Sequence, residues 1–283
     1  MTSLTHANPD QKLIDMWLHG RPTTTQKEYC RDVQYFLDLV GKPLTAMALE
    51  DLQSFATHLS TLNLKERTIR RKINSVKSLF SFAAKLNYVR FNVAAALRLP
   101  KIEYAIAHRI LPQREILKLI NAATPGRDRA LLKLLYATGM RISEACGLNW
   151  EDFIERDDGT IQVSILGKGG KRRVVLVPDS VWVEVEALRG GDADESPVFV
   201  SVRGRRRLDR SSVHRIIKEA ALKAGVNPKI SAHWMRHANA SHALQRGASL
   251  PLVKESLGHS SIAVTDIYLH ASPKDSTSNY LGF

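Results

Sequence analysis

Through the first hundred residues, apolar side chains recur at helical spacing. Leu13, Ile14 and Trp17 fall on one side of a segment running from Pro9 to His19, which Gly20 stops. Thr24 or Thr25 is then predicted to cap a helix in which Tyr29, Val33, Phe36, Leu37 and Val40 form a stripe, ended by Gly41-Lys42-Pro43. A third helix is predicted from Leu49 to Leu59, presenting Leu52, Phe55, Ala56 and Leu59. A fourth is predicted from Lys65 to Leu86, with Ile69, Ile73, Val76, Phe80, Ala83 and Leu86 as its apolar face. The pattern breaks at Leu99-Pro100-Lys101-Ile102-Glu103, and neither period holds through Ile110. A linker over about 101–110 therefore divides a helical domain, 1–104, from a second domain, 105–283.

The second domain mixes the two periods. Pro112 opens a helix at about Leu111-Glu115. Arg129 to Ala137 reads as a buried helix closed by Thr138-Gly139, and Ser143 is expected to cap the helix after it, which leaves Arg141 on the turn between. Thr160–Leu166 alternates at period two and Arg172–Val177 is rich in β-branched residues, so the two form a hairpin across Gly167-Lys168-Gly169-Gly170-Lys171. Further helices are predicted over 179–189, from Ser211 or Ser212 to about Ala224, from His233 to His242, and from Pro251 to Leu257 with Gly258 at its end; Pro197–Ser201 is predicted as a short strand. The expected fold is mainly α with a small antiparallel β-sheet in the second domain.

Charge narrows the class of partner. The 283 residues hold 41 Lys and Arg against 28 Asp and Glu, a formal net charge of +13. Such a balance points to a polyanion, usually nucleic acid, or more plainly to a soluble basic protein. Both domains share the basic excess. The fourth helix carries Lys65, Arg67, Arg70, Arg71, Lys72 and Lys77 beside its apolar face, which suits either a solvated surface or a major groove, with Asn74, Ser75 and Ser78 near the bases. Arg203, Arg205 and Arg206 form a basic loop suited to phosphates. Cys30 and Cys146 match no metal spacing and read as buried intracellular thiols. No apolar run approaches the roughly 18 residues of a membrane span, and no signal segment follows Met1, so a cytoplasmic protein without membrane contact is expected.

The candidate chemistry lies in one ordered set: Arg141, Lys168, His233, Arg236, His259 and Tyr268. Each alone has an ordinary alternative: a surface arginine paired with Glu144, an exposed turn lysine, a core tyrosine. The lysine turn lacks the pattern of a P-loop. A metal site at His233 and Arg236 is rejected, because arginine does not ligate metals and no carboxylate or cysteine set accompanies them. Together the six suit phosphoryl transfer without metal or cofactor. Arg141 and Arg236 offer forked donors to non-bridging oxygens, and His259 adds another. Reaching the tyrosine phenolate at pH 7 costs roughly 4 kcal/mol, so a base or cationic surroundings must offset it; His233 is the candidate base and Lys168 the candidate acid for the leaving 5′ oxygen.

The motifs Ala137-Thr138-Gly139-Met140-Arg141-Ile142-Ser143-Glu144, Gly167-Lys168-Gly169, His233-Trp234-Met235-Arg236-His237, Leu257-Gly258-His259-Ser260-Ser261 and Tyr268 resemble those of the tyrosine recombinase (phage integrase) family, most closely its two-domain Xer-type members. The resemblance spans nearly the whole chain. Met235 stands where such motifs often carry leucine, a near-isosteric change. What the resemblance implies is a helical, SAM-like core-binding domain that clamps DNA, followed by a catalytic domain with the six residues above at its active-site positions and Glu144 in support. It further implies a 3′-phosphotyrosyl intermediate on Tyr268, a Holliday junction, and a tetramer on paired recombination sites in double-stranded DNA, either of one protein or with a paralogue. In the family, a tail such as Thr277–Phe283 docks on a neighbouring subunit; the plain alternative is a frayed terminus. Chromosome dimer resolution and integration or excision of a mobile element both remain open. The rival readings are relaxation of DNA in the manner of a type IB topoisomerase and an inactive DNA-binding protein on the same scaffold.

Overall fold

The computed structural model describes residues 9–99, 110–167, 169–202, 204 and 206–258. The chain divides into two compact units, Met1–Tyr104 and Ala105–Phe283. In the first, α1 (Pro9–Leu18), α2 (Thr23–Val40), α3 (Leu49–Thr61) and α4 (Glu66–Lys85) pack around aromatic side chains, with Phe36 edge-on to Phe55 at 4.9 Å and to Phe80 at 6.3 Å. The apolar stripes read from the sequence supply this core.

Two buried acids tie the helices together. Asp10 accepts the Leu44 N–H at 3.0 Å and the Tyr88 hydroxyl at 2.6 Å. Burial and that carboxylate push the Tyr88 phenol up to about 12. Asp32 on α2 accepts from Ser75 at 3.0 Å, from Lys72 at 3.3 Å and from Arg71, all three on α4.

Several helix ends differ from expectation. Pro22, not Thr24 or Thr25, stands at the start of α2, where its fixed φ suits the entry and no side-chain cap forms. Leu86 is 50% exposed because α4 stops at Lys85. Asn87 turns left-handed (φ 55), and Asn87 and Tyr88 donate to Ala84 O (3.1 Å) and Ala83 O (2.9 Å), so Val89 enters the core in place of Leu86. Cys30 is exposed on α2, and only Cys146 is buried.

In the second unit, α5 (Gln113–Ala122), α6 (Arg127–Thr138), α7 (Ile142–Gly147), α8 (Asp179–Glu186), α9 (Arg210–Ala224), α10 (Ala232–Gln245) and α11 (Leu250–Leu257), the last packed in a separate small cluster of Ala240, Val253 and Leu257, accompany a three-stranded antiparallel sheet. Its order is β1 (Phe153–Glu155), β2 (Ile161–Leu166), β3 (Arg172–Val177), with Phe153 opposite Val163 and Ile165 opposite Arg173. On β2, Ile161, Val163 and Ile165 face the core. Strand β1 is too short to show a period. Val200 pairs with Arg207 and Pro197 with Asn149 only as isolated bridges, so 197–201 is not a strand. Asp209, not Ser211 or Ser212, caps α9, accepting the Ser212 N–H at 2.7 Å. Residues 100–109, which hold nearly all of the linker expected at about 101–110, and the tail beyond Gly258 lie outside the described residues.

Candidate active site

Helix α6 ends at Gly139 in the left-handed region (φ 60), where its N–H bonds to Leu135 O. Glycine is required there twice over. The conformation disfavours any Cβ, and a Cβ would meet Leu257 Cδ2 at 2.5 Å and Asn239 Oδ1 at 2.7 Å. The Asn239 side-chain amide donates to Tyr136 O (2.8 Å) and Ala137 O (3.1 Å), satisfying carbonyls that the end of α6 leaves open. From α10, Arg236 donates to Gly139 O at 2.6 Å and Leu257 O at 2.5 Å and is only 2% exposed. The ends of α6 and α11 are thus joined through one buried guanidinium.

Two residues further on, Arg141 is the N-cap of α7, and Ser143, expected to cap that helix, lies inside it. Glu144, in the first turn, reaches back to accept the Arg141 N–H at 2.7 Å and the Arg141 guanidinium at 2.8 Å. Arg173 holds the same carboxylate from the other side, Nη1 to Oε1 at 3.2 Å and Nη2 to Oε2 at 2.7 Å, and its Nε donates to Ser256 O at 2.8 Å. Burial pushes the Glu144 carboxyl up, but hydrogen bonds from Arg173 and from the Arg141 backbone and side chain outweigh it, and the net displacement is downward. The Glu144 side chain is 4% exposed and that of Arg141 39%, so a buried anion orients a guanidinium that opens to solvent.

His233 lies one helical turn before Arg236 on α10, exposed, with its ring 4.1 Å from that of the buried His237 and inclined at 65°. Among the expected site residues, the structure joins Arg141 to Glu144 and links Arg236 to the same neighbourhood through Gly139 and α11. Lys168, His259 and Tyr268 lie outside the described residues, as do Arg203 and Arg205. Of the expected DNA contacts on α4, Arg67 is exposed and Arg70 half-buried. Arg71 is ion-paired to Asp32, and Lys77 donates to Ala95 O (3.2 Å) and Leu97 O (2.5 Å), tasks the charge pattern did not disclose. Arg206 is exposed beside the Val200–Arg207 bridge.

Sequence reasoning passed over Arg173 and Asn239. Arg173 had a signal: it falls on the same side of β3 as Val175 and Val177, and an arginine on the inward side of a strand requires a buried acceptor.

Residues 109–275 match the phage integrase family and residues 12–88 the family's N-terminal SAM-like domain. The chain is 33% identical over 273 residues to tyrosine recombinase XerC of Thermodesulfovibrio yellowstonii, covering 90% of this chain and 88% of that protein. It is 31% identical over 287 residues to tyrosine recombinase XerD of Bifidobacterium longum, covering 93% and 91%. In fold it is similar to lambda integrase, solved as a tetramer bound to a Holliday junction, with a TM-score of 0.69 and 19% identity over 91% of this chain and 76% of that one. The chain belongs to the phage integrase family of tyrosine recombinases.

Proposed function

We propose that this site-specific recombinase cuts and rejoins double-stranded DNA through Tyr268. The phenol oxygen attacks a phosphodiester, the bond from phosphorus to the 5′ oxygen breaks, and a 3′-phosphotyrosyl bond forms. His233 takes the phenolic proton and Lys168 gives one to the departing 5′ oxygen. Arg141, Arg236 and His259 bear the charge that builds on the non-bridging oxygens. Attack by the 5′-hydroxyl of a partner strand reverses these steps, releases Tyr268 and conserves the bond energy, so neither metal nor cofactor is required. Two rounds on paired sites pass through a Holliday junction in a tetramer, the state in which lambda integrase of similar fold was solved. The four positions take copies of this chain or of this chain and a paralogue, and the tail at 277–283 docks on a neighbouring subunit. Arg67, Arg70, Arg203, Arg205 and Arg206 contact phosphates in this scheme, whereas Arg71 and Lys77, engaged by Asp32 and by the carbonyls of Ala95 and Leu97, brace the helix that presents Arg67 and Arg70.

The observation that carries the proposal is the Arg141–Glu144 pair. A guanidinium fixed by a buried carboxylate and exposed on its other side is preorganised for an anion, without reorganisation when charge develops. The experiment starts from the genomic fragment that the protein retains most tightly. Cleavage of that fragment should leave a free 5′-hydroxyl and a protein-blocked 3′ end, in the presence of EDTA. A free 3′ end, or an absolute need for a divalent cation, contradicts the chemistry. Relaxation of any supercoiled DNA without site preference or junction products favours a topoisomerase instead.

A further inference from the structure

We propose that Arg173 is a positioning residue for strand cleavage: it holds Glu144, and through it Arg141, against the C-terminal end of α11, from which the chain runs on to His259 and Tyr268. The inference rests on the roles assigned to Arg141 and Tyr268 above. Arg173 stands five residues after Lys168 in sequence, on the inward side of β3 with Val175 and Val177. Its side chain is 9% exposed. A buried guanidinium must have its donors satisfied, and three of them are: two on the Glu144 carboxylate and one on Ser256 O.

The next carbonyl, Leu257 O, is held by Arg236. Two successive carbonyls at the end of α11 are therefore gripped by two arginines from different elements. Terminal helix carbonyls lack intrahelical partners and carry the negative end of the helix dipole, which makes them natural acceptors for a guanidinium. Gly258 then turns left-handed (φ 64), and a Cβ there would lie 3.1 Å from Arg173 Cδ. The stem of Arg173 thus lines the point where the chain leaves α11. One planar fork fixes the carboxylate that orients Arg141 and the helix end that precedes the nucleophile in sequence. Lysine, with a single ammonium on a flexible stem, cannot serve both.

The test uses the full chain on a nicked duplex of the retained genomic fragment, comparing wild type with Arg173→Lys, Arg173→Ala and Arg173→Ala/Glu144→Gln. Three quantities are read: the Kd for DNA, the single-turnover rate of covalent adduct at saturating DNA, and the thermal midpoint. Both single variants should lose on the order of 100-fold in adduct rate, the scale of a misplaced reacting group, with Kd nearly unchanged. Adding Glu144→Gln removes the buried carboxylate that Arg173→Ala leaves with Arg141 as its one remaining cation among the described residues. The thermal midpoint should rise while the adduct rate stays low, because both the tether to Ser256 and the carboxylate that orients Arg141 are missing. A near-normal adduct rate in either single variant overturns the inference, and so does recovery of the rate together with the midpoint in the double variant, which would reduce Arg173 to a stabilising role. Arg173→Lys keeps a positive charge beside Glu144 and so provides the comparison if Arg173→Ala does not fold. Absence of adduct from wild type would instead overturn the parent assignment.

Discussion

Arg141 and Arg236 carry the same side chain in opposite settings. Arg236 is buried on two backbone carbonyls, whereas Arg141 leans on Glu144 and opens to solvent. Replacing Arg141 by lysine keeps the charge and loses the fork. Arg141→Lys should therefore lower single-turnover cleavage almost as far as Arg141→Ala does, by roughly 100-fold or more; near-normal turnover would remove Arg141 from the phosphate. Glu144 sets a second expectation. Its carboxyl lies below its ordinary value of 4.5 in the folded protein, so it contributes stability above that value and loses the contribution as pH falls through the lowered one. Glu144→Gln should lower the thermal midpoint at neutral pH, and the gap to wild type should close in acid. A gap that is constant down to pH 3 would contradict the assignment. Sequence order marked Arg141 and Arg236, and the resemblance of the surrounding motif to the family's added Glu144. Both missed Arg173 and Asn239, whose importance depends on partners 29 residues and about a hundred residues away.

Helix faces were the most legible feature of the elements. The stripes at Val33, Phe36, Ile73, Val76 and Phe80 are buried as their period requires. The ends were less so, since proline or arginine occupies caps where serine or threonine was expected, and Asn87 closes α4 in the way glycine usually does. Gly139 is where an element boundary becomes part of the site. Gly139→Ala meets roughly 1–2 kcal/mol of left-handed backbone strain. Contacts with Leu257 and Asn239 add overpacking of about 1–3 kcal/mol. The variant should melt well below wild type and lose cleavage, as its shift moves the carbonyl that Arg236 holds; an unchanged thermal midpoint would show that the helix ends have slack.

Over the whole molecule, both units belong to regions matched by the family, and both carry basic excess. Residues 105–283 alone should bind the site more weakly than the full chain and with a shallower salt dependence, the slope falling by about 0.9 for each phosphate that the first unit neutralises. Equal slopes would mean that Arg67 and Arg70 do not touch DNA. The mixed fold could be read from the switch between the two periods. The three-residue β1 and the buried acids Asp10 and Asp32 could not, because their roles arise only when distant segments meet.

The central claim is that Tyr268 is the nucleophile, and identifying the peptide that carries the nucleotide tests it most directly. The covalent adduct on a nicked duplex of the genomic site, digested with nuclease and protease, should yield by mass spectrometry a nucleotide-modified peptide with the added mass on Tyr268. Tyr268→Phe should bind the duplex normally and give no such peptide. Modification of Tyr280 or any other residue, or adduct persisting in Tyr268→Phe, would contradict the account.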